Sequence, residues 1–206
     1  MKWFLICLMA GLAHLALGNA KVTVPNAIMV SEQVEVNIQH DTAQVHGFYR
    51  FHMIRVKEPG APEGKVVFPL ILAKGAQPTM EDLEFTMKVN GQKARLYSIM
   101  AKPPFELPDS EDYSVVWISV SFPGQPIGPS LSVRVAYQQK LLDGVFYYLP
   151  VLDKAKPRPE GFEIRVKADR PVRSVGQGAG GIIQRRPEEL IFIPSHLSMI
   201  ALSTRP

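Results

Sequence analysis

Residues 34–53 read VEVNIQHDTAQVHGFYRFHM. Val34, Val36 and Ile38 alternate with Glu35, Asn37 and Gln39, so one side of this segment is apolar and the other polar. That period of two belongs to a β-strand with one buried face. Asp41 and Thr42 interrupt it. Ala43, Val45, Gly47, Tyr49, Phe51 and Met53 then alternate against Gln44, His46, Arg50 and His52. Two alternating runs joined by a short polar break predict a hairpin. His40 continues the inward parity of the first run and is expected to close its buried face.

The same signal extends in the C-terminal direction. Val66 to Leu72 is an apolar run containing Pro69, which has no N–H for a ladder and therefore predicts an edge strand or a strand end. Leu83, Phe85, Met87 and Val89 alternate up to Asn90-Gly91, the dipeptide of a type I′ hairpin turn, and Lys93 to Met100 is expected to return as the partner. Further strands are predicted at 113–122, 131–138, 145–151, 162–168, 190–193 and 198–202. The loop 57–65 carries two Pro and two Gly, residues 102–112 form a loop rich in Pro and acidic residues, and GQGAGG at 176–181 reads as a flexible connection. No window shows an amphipathic helix. The expected fold is all-β: an antiparallel, immunoglobulin-like β-sandwich of roughly ten strands. It forms one domain over 21–206, or two packed β-subdomains with a boundary near 102–112. An outer-membrane barrel fits less well, because most of the strands are too short and 18 prolines are too many.

The first twenty residues, MKWFLICLMAGLAHLALGNA, differ in kind from the rest. Lys2 precedes an apolar stretch of about 15 residues, which is short of the roughly 20 a spanning helix needs, and small residues follow. This predicts a cleavable secretory signal ending after Ala20 or after Gly18, with no membrane span in the mature chain. Cys7, the only cysteine, lies inside it. The mature domain therefore has no disulfide and must hold itself together by packing. A cysteine-free exported domain of this size fits a bacterial envelope, periplasmic or extracellular, better than an animal secreted module.

With 46% hydrophobic and 20% charged residues the composition is globular. The net charge of +4 falls to +3 without Lys2, and the basic residues are scattered, with Arg185-Arg186 the one adjacent pair. Nucleic-acid binding needs basic residues gathered on one face, so no nucleic-acid partner is expected.

Three segments resemble the N-terminal β-sandwich of the VIT class, the domain of inter-α-trypsin inhibitor heavy chains and of many exported bacterial proteins. They are VEVNIQHDTAQVHGFYRF from Val34, VVFPLIL from Val66, and LEFTMKVNGQKARLYSI from Leu83. Phe122 to Tyr137 and DGVFYYLP at 143–150 extend the likeness, which covers about half the chain. The resemblance implies an interaction domain without an active site.

Constellations that could carry chemistry are few. His46 and His52 share a face but lie about 20 Å apart along one strand, too far to hold one metal ion. Asp109, Glu111 and Asp112 cluster in a loop but lack the spacing of a calcium site. The Gly-rich 176–181 stretch lacks the Lys-Ser/Thr ending of a phosphate loop. Nucleophile and zincin motifs are absent, and Ser195 beside His196 is adjacency rather than triad geometry. No catalytic residue, cofactor or metal is expected. Trp117 shares parity with Tyr113 and Val115, which favours core packing. Tyr147 and Tyr148 are consecutive, so one of them must face away from the core, and either is a candidate partner contact. The reading is a non-enzymatic envelope protein that binds a protein partner. A carbohydrate-binding module using Trp117 and the tyrosine pair is the alternative, and a hydrolase using carboxylates of the 109–112 loop is the second.

Overall fold

The computed structural model describes residues 27–53, 64–75, 79, 81–94, 96–100, 111, 113–122, 128–148, 161–175, 181–193 and 200–205. The expected leader at 1–20, Asp109 and Asp112, the 176–180 part of the Gly-rich stretch, and Ser195 and His196 lie outside the described residues.

Among the described residues every regular element is a strand, and the fold is an all-β sandwich. β1 (Ala27–Gln39) and β2 (Thr42–Met53) form the predicted hairpin, with Val34 opposite Gly47 and Val36 opposite Val45. β3 (Gly64–Ala73) is followed by β4 (Thr86–Val89), β5 (Gln92–Lys93), β6 (Leu96–Ile99), β7 (Tyr113–Phe122) and β8 (Ser130–Lys140). β9 (Val145–Tyr148), β10 (Phe162–Ala168), β11 (Arg173–Ser174), β12 (Gly181–Arg186), β13 (Glu189–Ile193) and β14 (Ile200–Ser203) complete the series. One large sheet has the order β12-β13-β10-β1-β2-β8-β4-β5. Two three-stranded sheets, β11-β14-β9 and β3-β7-β6, cover one side of it.

Alternation explains the core. The inward residues of the large sheet, among them Val36, Val45, Tyr49, Val135, Ile164 and Phe192, pack in one cluster with Phe68, Leu70, Ile118, Val120, Phe146 and Leu202 of the small sheets. The cluster draws on the chain from Val34 to Leu202. Pro69 lies on β3, which pairs with β7 alone in its sheet and is thus an edge, where a missing N–H costs nothing. Asn90 (φ 48°) and Gly91 (φ 82°) make the positive-φ turn that the dipeptide predicts.

Four expectations need correction. The sandwich is mixed rather than wholly antiparallel, because β1 and β10 run parallel from Glu32↔Phe162 to Ile38↔Ala168. Alternation reports which face is buried but carries no information on strand direction. The return strand after Asn90-Gly91 stays in the large sheet only for Gln92–Lys93; the chain then crosses to pair β6 with β7. Gly181, the last residue of the connection expected at 176–181, instead opens β12, a strand that was not expected and that pairs with β13. His40 does not close a buried face: β1 ends at Gln39, and His40 sits in the turn at φ 56° with a side chain 91% exposed.

Candidate functional site

The two adjacent tyrosines are split by the fold. Asp143 (φ 50°) and Gly144 (φ 73°) form a tight turn closed by the Leu142–Val145 bridge, and β9 starts directly after it. From that start the alternation is fixed. Phe146 and Tyr148 point into the main core, while Val145 and Tyr147 face out. Tyr148 is 4% exposed, which removes it as a surface contact; Tyr147 is half-buried.

On the outside of the small sheets Tyr147 meets Tyr113, the first residue of β7, with ring centroids 5.2 Å apart and planes tilted by 40°. Beneath them lie Ile71 and Trp117, both buried, with Val67, Val115 and Met100 packed around. Trp117 is buried as its parity with Tyr113 and Val115 implies, but on the opposite side of β7 from Ile118 and the main core. The β3-β7 pair is therefore apolar on both faces, and two half-exposed tyrosines from strands distant in sequence top its outer layer.

Inside the sandwich Tyr148 belongs to a second group that the alternation alone did not reveal. Glu32 is fully buried and accepts a 2.6 Å hydrogen bond from the Tyr148 hydroxyl. The Tyr148 proton is committed to the carboxylate, so the 3.1 Å contact between the Tyr49 and Tyr148 hydroxyls takes its proton from Tyr49. Glu32 reaches the core because of a β-bulge. Ala27 and Met29 face inward, and the register shifts between Met29 and Ser31, with Val30 left 40% exposed. The extra residue inverts the parity, so Glu32 rather than Ser31 joins the inward column of Val34 and Val36. Reading the alternation two residues back from Val34 would have found it.

Burial first, and then the charge of Glu32, push the phenols of Tyr49, Tyr148 and Tyr137 above their ordinary value of 10.0. A raised value favours the protonated phenol in the fold. The contribution to stability is whole below pH 10 and is lost as pH rises above it. In an alkaline titration, three of the six tyrosines should stay silent until the β-sheet circular dichroism collapses, and then ionise together. Six normal midpoints near 10 with the sheet intact would contradict this.

Among the described residues no three His, Cys, Asp or Glu side chains gather to hold a metal ion. His46 and His52 both point to solvent, and Glu111 is exposed.

No family model and no curated protein matches the chain. Among solved structures the fold is similar to that of a Legionella pneumophila protein provisionally described as nutrient-binding, at TM-score 0.55 and 15% identity over 88% of this chain and 68% of that one. Leukotriene A4 hydrolase from Saccharomyces cerevisiae follows at TM-score 0.48 and 8% identity, over 88% of this chain and 30% of the hydrolase. An M1 zinc metallopeptidase from Deinococcus radiodurans gives 0.42 and 10%, over 87% and 42%. The chain thus spans less than half of either enzyme. At these identities the likeness is one of fold, and a fold does not set function.

Proposed function

We propose that the chain is an exported, non-enzymatic binding module of the cell envelope that engages a protein partner through the Tyr113–Tyr147 pair. The observation that carries this reading is the convergence of two half-exposed tyrosines over a dry floor of Ile71 and Trp117. A tyrosine offers a large apolar face and a hydroxyl on a side chain with few rotamers, so little entropy is lost when a partner covers it. Such rings, seated on packed apolar residues, are the usual anchors of protein interfaces. The leader at 1–20 and the cysteine-free mature chain support export to an envelope compartment. The groups whose titration is most perturbed are sealed in the core, out of reach of a substrate, and there they serve packing.

The sugar-binding alternative is weaker. Stacking on a sugar needs open ring faces, yet Trp117 is 3% and Tyr148 4% exposed. Of the three rings it relied on, Tyr147 alone is accessible, and its plane is tilted against Tyr113.

Crosslinking of the tagged mature protein in its native cells tests the proposal. One dominant protein should be captured. Tyr147→Ala should weaken that binding about 30-fold, as loss of an interface anchor worth about 2 kcal/mol does, while the lost packing on Tyr113 lowers the thermal midpoint by only about 2–4 °C. Tyr147→Phe should keep most of it. A lone monomer that captures nothing, or a Tyr147→Ala variant that binds as before, sinks the reading.

A further inference from the structure

The register of the large sheet aligns five outward side chains straight across it. Gln33 lies opposite Phe48, Phe48 opposite Arg134, Arg134 opposite Lys88, and Lys88 opposite Lys93. At about 4.8 Å between strands the row is about 19 Å long. Its last three members are cations on three consecutive strands, β8, β4 and β5, all exposed. Like charges directly opposite one another destabilise a sheet. Ion pairs elsewhere in the described residues join Glu163 to Arg165, Asp169 to His40 and Arg170, and Asp143 to Arg205. Among the described residues no carboxylate comes within ion-pair distance of Arg134, Lys88 or Lys93. Glu35, in the neighbouring row, stands on β1, two strands from Arg134. A local rule is broken here with no counter-charge among the described residues, and rules broken in this way cluster at functional surfaces.

The next row reads Glu35, His46, Ala136, Thr86. The small side chains of Ala136 and Thr86 leave a hollow of about 460 Å³, bordered by Phe48, Lys88 and Arg134 on its cationic side and by His46 and the one carboxylate, Glu35, at the β1 end. The Arg134 guanidinium lies 5.2 Å from the Phe48 ring centroid, a cation–π contact that holds it at the rim.

The geometry points to a docking site for an acidic, extended segment of a protein, laid in this hollow with its carboxylates on Arg134 and Lys88. An extended chain places alternate side chains on one face about 6.6 Å apart. Opposed residues on neighbouring strands lie about 5 Å apart at Cβ, and the long stems of Arg and Lys span the difference. Charge complementarity names the occupant: bound carboxylates replace the missing counter-charges of the row. Gln33, Thr86 and His46 supply polar partners for the remainder of the segment. The site is on the outer face of the large sheet and stands independently of the tyrosine pair.

Fluorescence anisotropy of a short labelled peptide alternating Glu and Thr, with the Gln/Thr peptide as its neutral counterpart, tests this on the mature protein. The acidic peptide should bind, more weakly as salt rises, and the neutral one should not. Lys88→Glu should weaken binding at least tenfold. It should also raise the thermal midpoint by about 2 °C, since a carboxylate between Arg134 and Lys93 relieves their repulsion. Lys140→Glu, the same charge change at the far end of β8, should leave binding within twofold. Equal loss in both variants, equal binding of the neutral peptide, or a Lys88→Glu midpoint at or below that of the parent would overturn the proposal. So would capture of phosphatidylglycerol vesicles or dextran sulfate in preference to the peptide with the same dependence on Lys88.

Discussion

Glu32→Ala should lower the stability of the domain by about 3 kcal/mol, because it leaves a buried phenol proton without its acceptor and opens a cavity beside it. Tyr148 donates to Glu32 at 2.6 Å and accepts from Tyr49 at 3.1 Å. Glu32, Tyr49 and Tyr148 are buried too deeply for water to replace a lost partner. Removing the carboxylate relieves its own desolvation but leaves the Tyr148 proton without an acceptor, a penalty of about 1–3 kcal/mol, and it opens a cavity besides. With a urea slope near 2 kcal/mol/M the midpoint should fall by about 1.5 M. Tyr148→Phe should be comparably damaging, since it strips a buried carboxylate of a donor. The double variant should cost less than the sum of the two by at least about 1 kcal/mol, because each single change already breaks the same bond. Additive losses would show that Glu32 and Tyr148 are not coupled, and an unaltered Glu32→Ala midpoint would remove the chain of phenols as a stabilising element.

The same residue shows where sequence reading reaches its limit. Strands at Tyr113–Phe122 and Phe162–Ala168 were legible to the residue, the second from its alternation and the first as a ten-residue run rich in β-branched and aromatic residues between loop segments. The turn at Asn90-Gly91 and the edge position of Pro69 were legible from backbone chemistry. Glu32 shares the parity of Val34 and Val36, but a lone carboxylate reads as the end of an apolar face; its burial rests on Tyr148, 116 residues away in the chain. The candidate site was half legible. Parity requires Tyr147 and Tyr148 to part, but Phe146 beside them and an apolar outer face on β3 and β7 leave either parity a dry destination. Their meeting with Tyr113, and the cation row of Arg134, Lys88 and Lys93, depend on strand neighbours far apart in the chain. Those partnerships are tertiary facts, as is the parallel run of β10 beside β1.

Gly47→Ala is expected to be nearly as damaging as loss of Glu32, for a steric reason that composition does not suggest. Gly47 occupies an inward position of β2, between Val45 and Tyr49, where a larger apolar residue would ordinarily improve both packing and strand propensity. The Tyr49 ring fills that space instead. A Cβ on residue 47 would meet the Tyr49 hydroxyl at 2.5 Å and its ring carbons at 2.6 and 2.8 Å. A clash with the end of a flexible side chain would be cheap, but Tyr49 is fully buried, packs edge-on against Phe68 with centroids 6.2 Å apart, and is tied through its hydroxyl to Tyr148. To admit the methyl group the ring must move, and moving it breaks the hydroxyl bond and disturbs the packing on Phe68. Overpacking of a tight core costs about 1–3 kcal/mol, and the lost hydrogen bond adds about 1 kcal/mol or more. The reduced backbone entropy of alanine in the unfolded chain returns less than about 1 kcal/mol. The net loss, about 3 kcal/mol, should lower the thermal midpoint by about 6–12 °C. In a Tyr49→Leu background, where the ring is gone, the same Gly47→Ala change should be nearly neutral. If it costs as much there as in the parent, the glycine is required by the strand backbone and not by the ring that lies over it.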